Sequence, residues 1–431
     1  MTNRKARTKR NGKVHHRARL LARAPNLSFA AKPVRSRPVL ITGGAGFIGT
    51  NLAHRLLSAG QSVLLYDNLL RPGVERNVEW LQATHGDLLQ LEVAEVQDFA
   101  ALRRATRHAS KVFHFAAQVA VTTSLKDPLY DFEVNARGTL NLLEALRMLP
   151  NPPPLLFTST NKVYGDLEDV DLRVNGPRYE PVDPALREHG FDESRPLNFH
   201  SPYGCSKGCA CQYVLDYTRT FHLPAVAFHM SCIYGLHQLG TEDQGWVAHF
   251  LIQALENSSI NIYGDGRQVR DILFVEDLID AFLLAHKHMD VLAGQSFNMG
   301  GGPGNTISLL ELIDLIAELQ GRPPELRFDT WRSADQRYYV SDIRKFSVAT
   351  GWSPKVNIRE GVTRLYEWLT ESHPATCSKI LNLNGVLAAG NGQQQNHEPH
   401  SAVRKPARIN RPHETNGMNG KCTAKKLVKA L

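Results

Sequence analysis

Val39-Leu40-Ile41-Thr42-Gly43-Gly44-Ala45-Gly46-Phe47-Ile48-Gly49 reads as a short apolar strand, a glycine-rich turn and the start of an amphipathic helix, with Ile48, Leu52, Leu56 and Leu57 on one face. A glycine-rich loop between strand and helix lets the backbone approach a pyrophosphate. The free N–H groups and the dipole of the helix N-terminus favour the anion there. The spacing is Gly43-x-x-Gly46-x-x-Gly49, not the commoner Gly-x-Gly-x-x-Gly. A second strand, 62–66, ends at Asp67, 18 residues after Gly49. A carboxylate there accepts from the adenosine ribose hydroxyls and repels a 2′-phosphate, which favours NAD over NADP, although Arg71 is close by in sequence. A glycine turn alone is also an ordinary tight connection; the strand before it, the helix after it and Asp67 make it a dinucleotide site. Phe47 and Ile48 at the helix start and Asn68 beside Asp67 belong with the cofactor-binding residues.

The alternation continues outward from this unit. Residues 111–115 form a strand leading into Ala116 and Ala117, whose small side chains let a cofactor lie against the strand end. A helical pattern over 127–149 carries Phe132, Leu140, Leu143 and Leu146, and 155–157 is the next buried strand. Strands alternating with helices predict an α/β fold, a Rossmann-like doubly wound parallel sheet that binds ligands beyond the carboxyl ends of its strands. Thr158-Ser159-Thr160-Asn161-Lys162-Val163-Tyr164-Gly165 falls at such an end, and its hydroxyls serve either a substrate or the cap of the next helix. After a polar, turn-rich excursion over 167–199 comes Ser201-Pro202-Tyr203-Gly204-Cys205-Ser206-Lys207. On a helix Tyr203 and Lys207 share one face. An ammonium beside a phenol favours the phenolate and is expected to pull the tyrosine below its usual value of about 10, making it a general base. Such a pair is also common on plain helix surfaces; the upstream cofactor fingerprint gives it meaning.

A strand over 224–228 follows, and helices over 277–288, 308–319 and 359–369 mixed with short strands predict a smaller, mixed α/β substrate-binding domain. The expected division is a disordered basic arm (1–37), a mainly NAD-binding part (38–230), a mainly substrate-binding part interleaved with it (231–373) and a disordered basic tail (374–431). Gly264-Asp265-Gly266-Arg267-Gln268-Val269-Arg270-Asp271 and Asp335-Gln336-Arg337 supply the basic side chains to aim at phosphates, a guanidinium fork matching phosphate oxygens in two-point geometry. Surface ion pairs with Asp271 or Asp335 are the competing use.

The net charge of +8 hides two signs. Residues 1–38 carry 12 Lys and Arg and no acid, and residues 374–431 carry 9 against 2 acids, which leaves the body at −11. Nucleic-acid binding is therefore open only to the tails. The N-terminal arm is read as an extension without a role, an electrostatic arm or an organelle presequence. No apolar run reaches the ~18 residues of a membrane span, and no secretory h-region precedes residue 38. Six cysteines without paired spacing predict reduced thiols in the cytoplasm. Cys205, Cys209 and Cys211 lack zinc-site spacing, so no metal is expected.

Gly43-x-x-Gly46-x-x-Gly49, Asp67, Thr160 and Tyr203-x-x-x-Lys207 together resemble the extended short-chain dehydrogenase/reductase family acting on nucleotide sugars, over about residues 38–370. Within it, Thr158–Asp166, His200–Gly208, Asp243–Val247, Arg267–Asp271 and Trp352–Val356 are similar to the branch that inverts C2 of a CDP-linked hexose. The resemblance implies tightly bound NAD, a nucleotide-sugar substrate and a homo-oligomer. By position, Gly43, Gly46 and Gly49 would hold the pyrophosphate, Asp67 the adenosine ribose and Asp87 the adenine edge. Thr160, Tyr203 and Lys207 would form the catalytic set, with Lys207 also on the nicotinamide ribose. Gln118, Thr160, Asn161, Arg270 and Arg337 would meet the substrate, the two arginines at its diphosphate. Where the 4,6-dehydratases of the family have Asp-Glu after the catalytic threonine, this chain has Asn161-Lys162, which disfavours water elimination. Where relatives commonly carry Arg before the Ser231–Gly235 turn, this chain has His229-Met230.

Overall fold

Strand β1 (Val39–Thr42) is buried along its whole length, because both of its faces are covered and alternate residues feed two separate cores. The computed structural model describes residues 37–332 and 334–372. The remainder of the expected basic arm and the basic tail lie outside the described residues.

From β1 the chain passes through helix α1 (Phe47–Ser58), β2 (Val63–Asp67), α2 (Val74–His85), β3 (Leu89–Val93), α3 (Phe99–Thr106) and β4 (Lys111–His114). Two short helices, α4 (Val121–Lys126) and α5 (Pro128–Phe132), lead through a π-turn (Glu133–Arg137) into α6 (Gly138–Arg147) and then β5 (Leu155–Thr160). A hairpin of β6 (Leu172–Asn175) and β7 (Arg178–Pro181) and helix α7 (Pro184–His189) occupy the excursion before α8 (Pro202–Phe221) and β8 (Ala225–Met230). Beyond them come β9 (Cys232–Tyr234), α9 (Trp246–Leu255), β10 (Ile260–Tyr263), β11 (Val269–Phe274), α10 (Val275–Lys287), β12 (Ser296–Met299), β13 (Thr306–Ser308), α11 (Leu309–Gln320), β14 (Leu326–Asp329), β15 (Tyr338–Tyr339) and α12 (Ile358–Ser372).

Seven strands form one parallel sheet in the order β12-β8-β5-β4-β1-β2-β3, the doubly wound architecture the alternation predicts. Its pleat sorts neighbours in sequence to opposite faces. Ile41, Leu65, Phe113, Leu156 and Phe228 pack under α1, α2 and α10, while Leu40, Tyr66, Val112, Leu155 and Phe157 pack under α3, α6 and α8. A smaller sheet has β11 at its centre, flanked by β13, β15 and β9, and its core with α9, α11 and α12 gathers Phe250, Leu251, Phe274, Ile316 and Leu365. Among the described residues, no helix is long and apolar enough to cross a membrane.

The helix expected over 127–149 differs in detail. Asp127 caps it, accepting from Tyr130 N at 3.0 Å, and the π-turn widens it around Asn135. Phe132, read as a core residue, is instead 50% exposed, because the wider turn shifts the register of the buried face.

The first crossover rests on Gly49. A Cβ there would lie 2.5 Å from Gly43 O and 2.6 Å from Gly44 Cα, so α1 can approach the turn only without a side chain. We expect Gly49→Ala to lower stability by about 1–3 kcal/mol, the usual cost of overpacking. It should also abolish retention of NAD through purification. Calorimetry with cofactor quantification checks this, and a variant as stable and as loaded as the parent would contradict the packing described.

Candidate active site

The carboxyl ends of β1, β2, β4, β5 and β8 open into a single cleft of about 1000 Å³. Its cofactor end is built by the first βαβ unit. Gly43 has φ +68°, and a Cβ on it would lie 2.6 Å from Ala116 N, so the turn packs directly on the end of β4. Gly46 precedes α1 without any side-chain cap, which leaves the first N–H groups of that helix facing the cleft for an anion. Asp67 accepts from Ala45 N at 3.0 Å and Leu69 N at 2.9 Å, tying the glycine turn to the end of β2. Burial raises its pKa, against these hydrogen bonds. Phe47, Ile48, Asn68, Ala116 and Ala117 line the same end, as does Arg71.

Asp87 is not brought there. It is exposed in a one-turn helix ahead of β3, and β3 runs parallel to β2 with Leu89 opposite Val63 and Val93 opposite Asp67. Asp87 therefore sits at the amino end of the sheet, away from the cleft. Ala94 and Val96, which follow β3, occupy the position expected of it.

At the middle of the cleft, Thr160 ends β5 and Tyr203 and Lys207 project from α8. Ser201 caps α8 by accepting from Gly204 N at 3.1 Å, and Pro202 opens its first turn. This is why the phenol falls in the first turn and the ammonium one turn on. Lys207 is buried, with Nζ 4.4 Å from the centroid of the Phe157 ring. The electrostatics differ from the sequence expectation. Burial against the cleft wall pushes Tyr203 up to about 12, with the Thr160 hydroxyl pulling the other way and Asp131 reinforcing the rise. Burial likewise pushes Lys207 down to about 8, with Cys211 and Asp131 opposing. For each group desolvation outweighs the hydrogen bonds and charges around it.

The far end of the cleft contains Asn161, Lys162, Arg270, Arg332 and Asp335. Arg270 is buried and its guanidinium donates to Val269 O at 2.8 Å, Asp335 Oδ1 at 2.9 Å and Gln336 O. Lys162 Nζ meets Ala334 O at 3.3 Å and Asp335 Oδ1 at 3.4 Å. Arg337 is exposed, stacks 5.3 Å from the Trp331 ring centroid and does not line the cleft. Arg332, five residues earlier, does line it, held 3.9 Å over the Tyr263 ring and donating to Glu242 O at 2.9 Å. Arg332 is thus a cleft-lining cation that sequence reading missed. Gln118 lines the cleft, but its amide is occupied by Ala120 and Asp131. His229 lies outside the lining, between Tyr164 OH at 3.0 Å and Cys211 Sγ at 3.4 Å. Burial drives it down to about 4, so it is a neutral core imidazole with no substrate contact.

Three oxygens of the lining, Thr122 Oγ1, Gln238 Oε1 and Gln268 Oε1, are buried without a hydrogen-bond partner among the described residues. Unmet buried acceptors and a backbone cradle that any Cβ would fill are what a polar ligand completes. Asp67, the uncapped helix start and the glycine turn fit the adenosine and pyrophosphate of a dinucleotide. Among the described residues no cluster of His, Cys, Asp or Glu could hold a metal ion.

This fold with a Thr/Tyr/Lys set at the strand ends defines a class of nucleotide-cofactor enzymes. Residues 39–300 match the NAD dependent epimerase/dehydratase family, and the chain belongs to it, an enzyme whose cofactor is NAD. A relative from Salmonella typhi, CDP-paratose 2-epimerase, is 43% identical over 344 residues, 77% of this chain and 98% of the relative. A UDP-glucose 4-epimerase from Thermus thermophilus, solved with NAD, superposes with a TM-score of 0.65 at 31% identity, covering 77% of this chain and 98% of that one. A UDP-glucuronic acid 4-epimerase from Bacillus cereus, solved with UDP-glucuronic acid and NAD, gives 0.67 at 26% identity over 78% and 99%.

The two arginines now separate. Arg332→Ala should raise KM for a diphosphate-bearing substrate about tenfold or more, the effect of losing about 1.4 kcal/mol. Arg337→Ala should stay within about twofold of the parent. Equal effects of the two substitutions in steady-state kinetics would refute the placement of Arg332.

Proposed function

We propose that the chain inverts a hydroxyl-bearing carbon of a nucleotide sugar, and specifically C2 of a CDP-hexose, converting CDP-paratose to CDP-tyvelose. The observation that carries the epimerase reading is the joining of Thr160, Tyr203 and Lys207 in one cleft with Asn161 beside them. Asn161 donates its amide to Gln336 Oε1 at 3.3 Å and has no acid proton to give, so the site lacks the acid a dehydration would need at this position. The choice of CDP and of C2 is supported by the 43% identity to the Salmonella typhi protein across nearly its whole length.

When bound, NAD supplies the hydride acceptor for the sugar carbon and the hydride donor for the return. Tyr203 takes the proton of the C2 hydroxyl and later gives it back, while Thr160 hydrogen-bonds the same oxygen. Lys207 holds positive charge beside them, which favours the phenolate at the moment of transfer. Inversion requires the transient keto-sugar to present its other face. The site must therefore grip the nucleotide firmly and leave the sugar free to turn. Arg332, Arg270 and Lys162 line the cleft as cations, which supports a diphosphate-gripping role for them. A 4-epimerase acting on a UDP- or GDP-sugar would use the same three residues.

Two further assignments go with this reading. Leu129 and Phe132 of α5, 79% and 50% exposed, belong to a helix packed against α8, which itself exposes Tyr213. An apolar patch of this kind suits a second copy of the chain. The described cysteines, Cys205, Cys209, Cys211 and Cys232, are free thiols, which suits a reducing compartment such as the cytoplasm.

Tyr203→Phe should lose about 10²–10⁴-fold in kcat with NAD still bound, the usual contribution of a positioned acid–base group. Product NMR on a panel of CDP-, UDP- and GDP-sugars should show inversion with CDP-paratose, and solvent deuterium at C2 would contradict direct hydride return. Leu129→Asp should convert the oligomer to monomer in sedimentation velocity; an unchanged species would refute that face.

A further inference from the structure

Behind the catalytic turn of α8 lies a carboxylate that the chemistry above does not use. Asp131 is fully buried near the end of α5, and three donors converge on it. Gln118 Nε2 at 2.9 Å and Asn135 Nδ2 at 3.1 Å reach Oδ1, and Ser206 Oγ reaches Oδ2 at 2.5 Å. The Ser206 oxygen itself accepts from Asn135 Nδ2 at 3.0 Å, so its proton is directed at Asp131. A pocket furnished with donors suits an ionised carboxylate.

The surroundings are fixed with equal care. Asn135, in the π-turn, accepts from Gln118 N at 2.8 Å and donates to Gln118 O at 3.0 Å, locking the loop after β4 to the helix. Ser206 stands between Tyr203 and Lys207 on α8, and Tyr203 N donates to Ser124 Oγ at 3.1 Å from α4. The carboxylate is therefore one side chain removed from both catalytic groups.

An ionised carboxylate at this depth needs a counter-charge. The titratable groups that face Lys207 are Asp131 from α5, the Cys211 thiol one turn along α8 and, from β4, His114, which burial drives down to about 3 and so keeps neutral. Burial raises the Asp131 carboxyl above its usual range, and the hydrogen bond from Ser206, the charge of Lys207 and the hydrogen bond from Gln118 pull the other way, toward the ionised form. Of all these, Lys207 is the cation that bears on Asp131, and Asp131 is the carboxylate that bears on Lys207, with Ser206, next to Lys207 in the chain, hydrogen-bonded to Asp131. Asp131 also bears on Tyr203, where a negative charge opposes the phenolate.

We propose that Asp131 is a positioning residue of the hydride-transfer site, the fixed counter-charge of Lys207 and, through Ser206, the anchor of the turn that carries Tyr203. The proposal rests on the reading of Tyr203 and Lys207 as the acid–base pair and is independent of which sugar is turned over. The sign of its consequence is determined. Removing the negative charge makes the phenolate easier to form and the ammonium easier to lose, so both limbs of the pH profile move to lower pH.

The test uses the NAD-loaded full chain and Asp131→Asn. The amide can turn its oxygen to Gln118 and Asn135 and its NH₂ to Ser206, whose proton then goes to Tyr203 O at 3.2 Å. The variant thus removes charge with little change of shape. Ultraviolet titration of tyrosinate, with the same titration of Tyr203→Phe subtracted, should show the Tyr203 step about one unit lower in pH than in the parent. The kcat profile should move with it. Ser206→Ala, which keeps the charge and breaks the anchor, should lose about tenfold in kcat with its profile in place. A tyrosinate step unmoved in Asp131→Asn, or an unchanged kcat in Ser206→Ala, would overturn the proposal. Should Asp131→Asn fail to fold, the double variant with Lys207→Met should recover folded protein by removing both charges, and failure to recover it would also overturn the proposal. The titration needs no substrate, so absence of CDP-paratose turnover in the parent would count against the proposed reaction and leave the test of Asp131 standing.

Discussion

The close approach of Gly49 to Gly43 and Gly44 is the constraint on which the cofactor end depends. A helix backbone lies against the turn it follows, with no room for a single methyl group. That contact brings the N-terminus of α1 to the cleft and puts Ala45 N within 3.0 Å of Asp67. The strand order then follows from the connections, since each crossover returns a strand parallel to its neighbour and lays its helix on one face. The cleft sits where the carboxyl ends of these strands meet, at the point from which the chain winds both ways.

The middle of the cleft is governed by desolvation. Burial disfavours both charged forms that the proposed reaction needs, phenolate at Tyr203 and ammonium at Lys207. A pair poised in this way responds to any charge set down close by, whether a buried carboxylate or a bound cofactor, because so little solvent is present to screen it. The same reasoning separates His229 from the site. Its neutral ring closes a polar contact in the core, and the loss of a cation at that position costs the cleft nothing.

Much of this was legible in the sequence because it is local. A strand, a glycine turn, a helix and an acid at the end of the next strand form a motif within 30 residues, and Tyr203 and Lys207 share a helix face whatever lies around them. The misreadings were of two physical kinds. Asp87 was given to the adenine by resemblance alone, whereas β3 begins two residues later at Leu89 and leaves Asp87 at the amino end of the sheet. Arg337 and Arg332 belong to one loop, and which of them turns inward is decided by Trp331 of the same loop for the one and the distant Tyr263 and Glu242 for the other, together with the left-handed backbone at Ala334. The direction of the tyrosine shift was missed because spacing along a helix says nothing about how much water remains beside it.

The seventh strand carries a consequence for how the chain comes off the ribosome. β12 is supplied by residues 296–299, after the chain has already passed through β9, β10 and β11. Until then β8 is the open edge of the large sheet, with its hydrogen-bonding groups free to recruit a strand from another chain. At about 5–20 residues per second that exposure lasts several seconds during synthesis. The nascent protein must therefore be kept from its neighbours while its last sheet position is vacant, and a stalled or shortened chain ending before residue 296 would present that edge permanently.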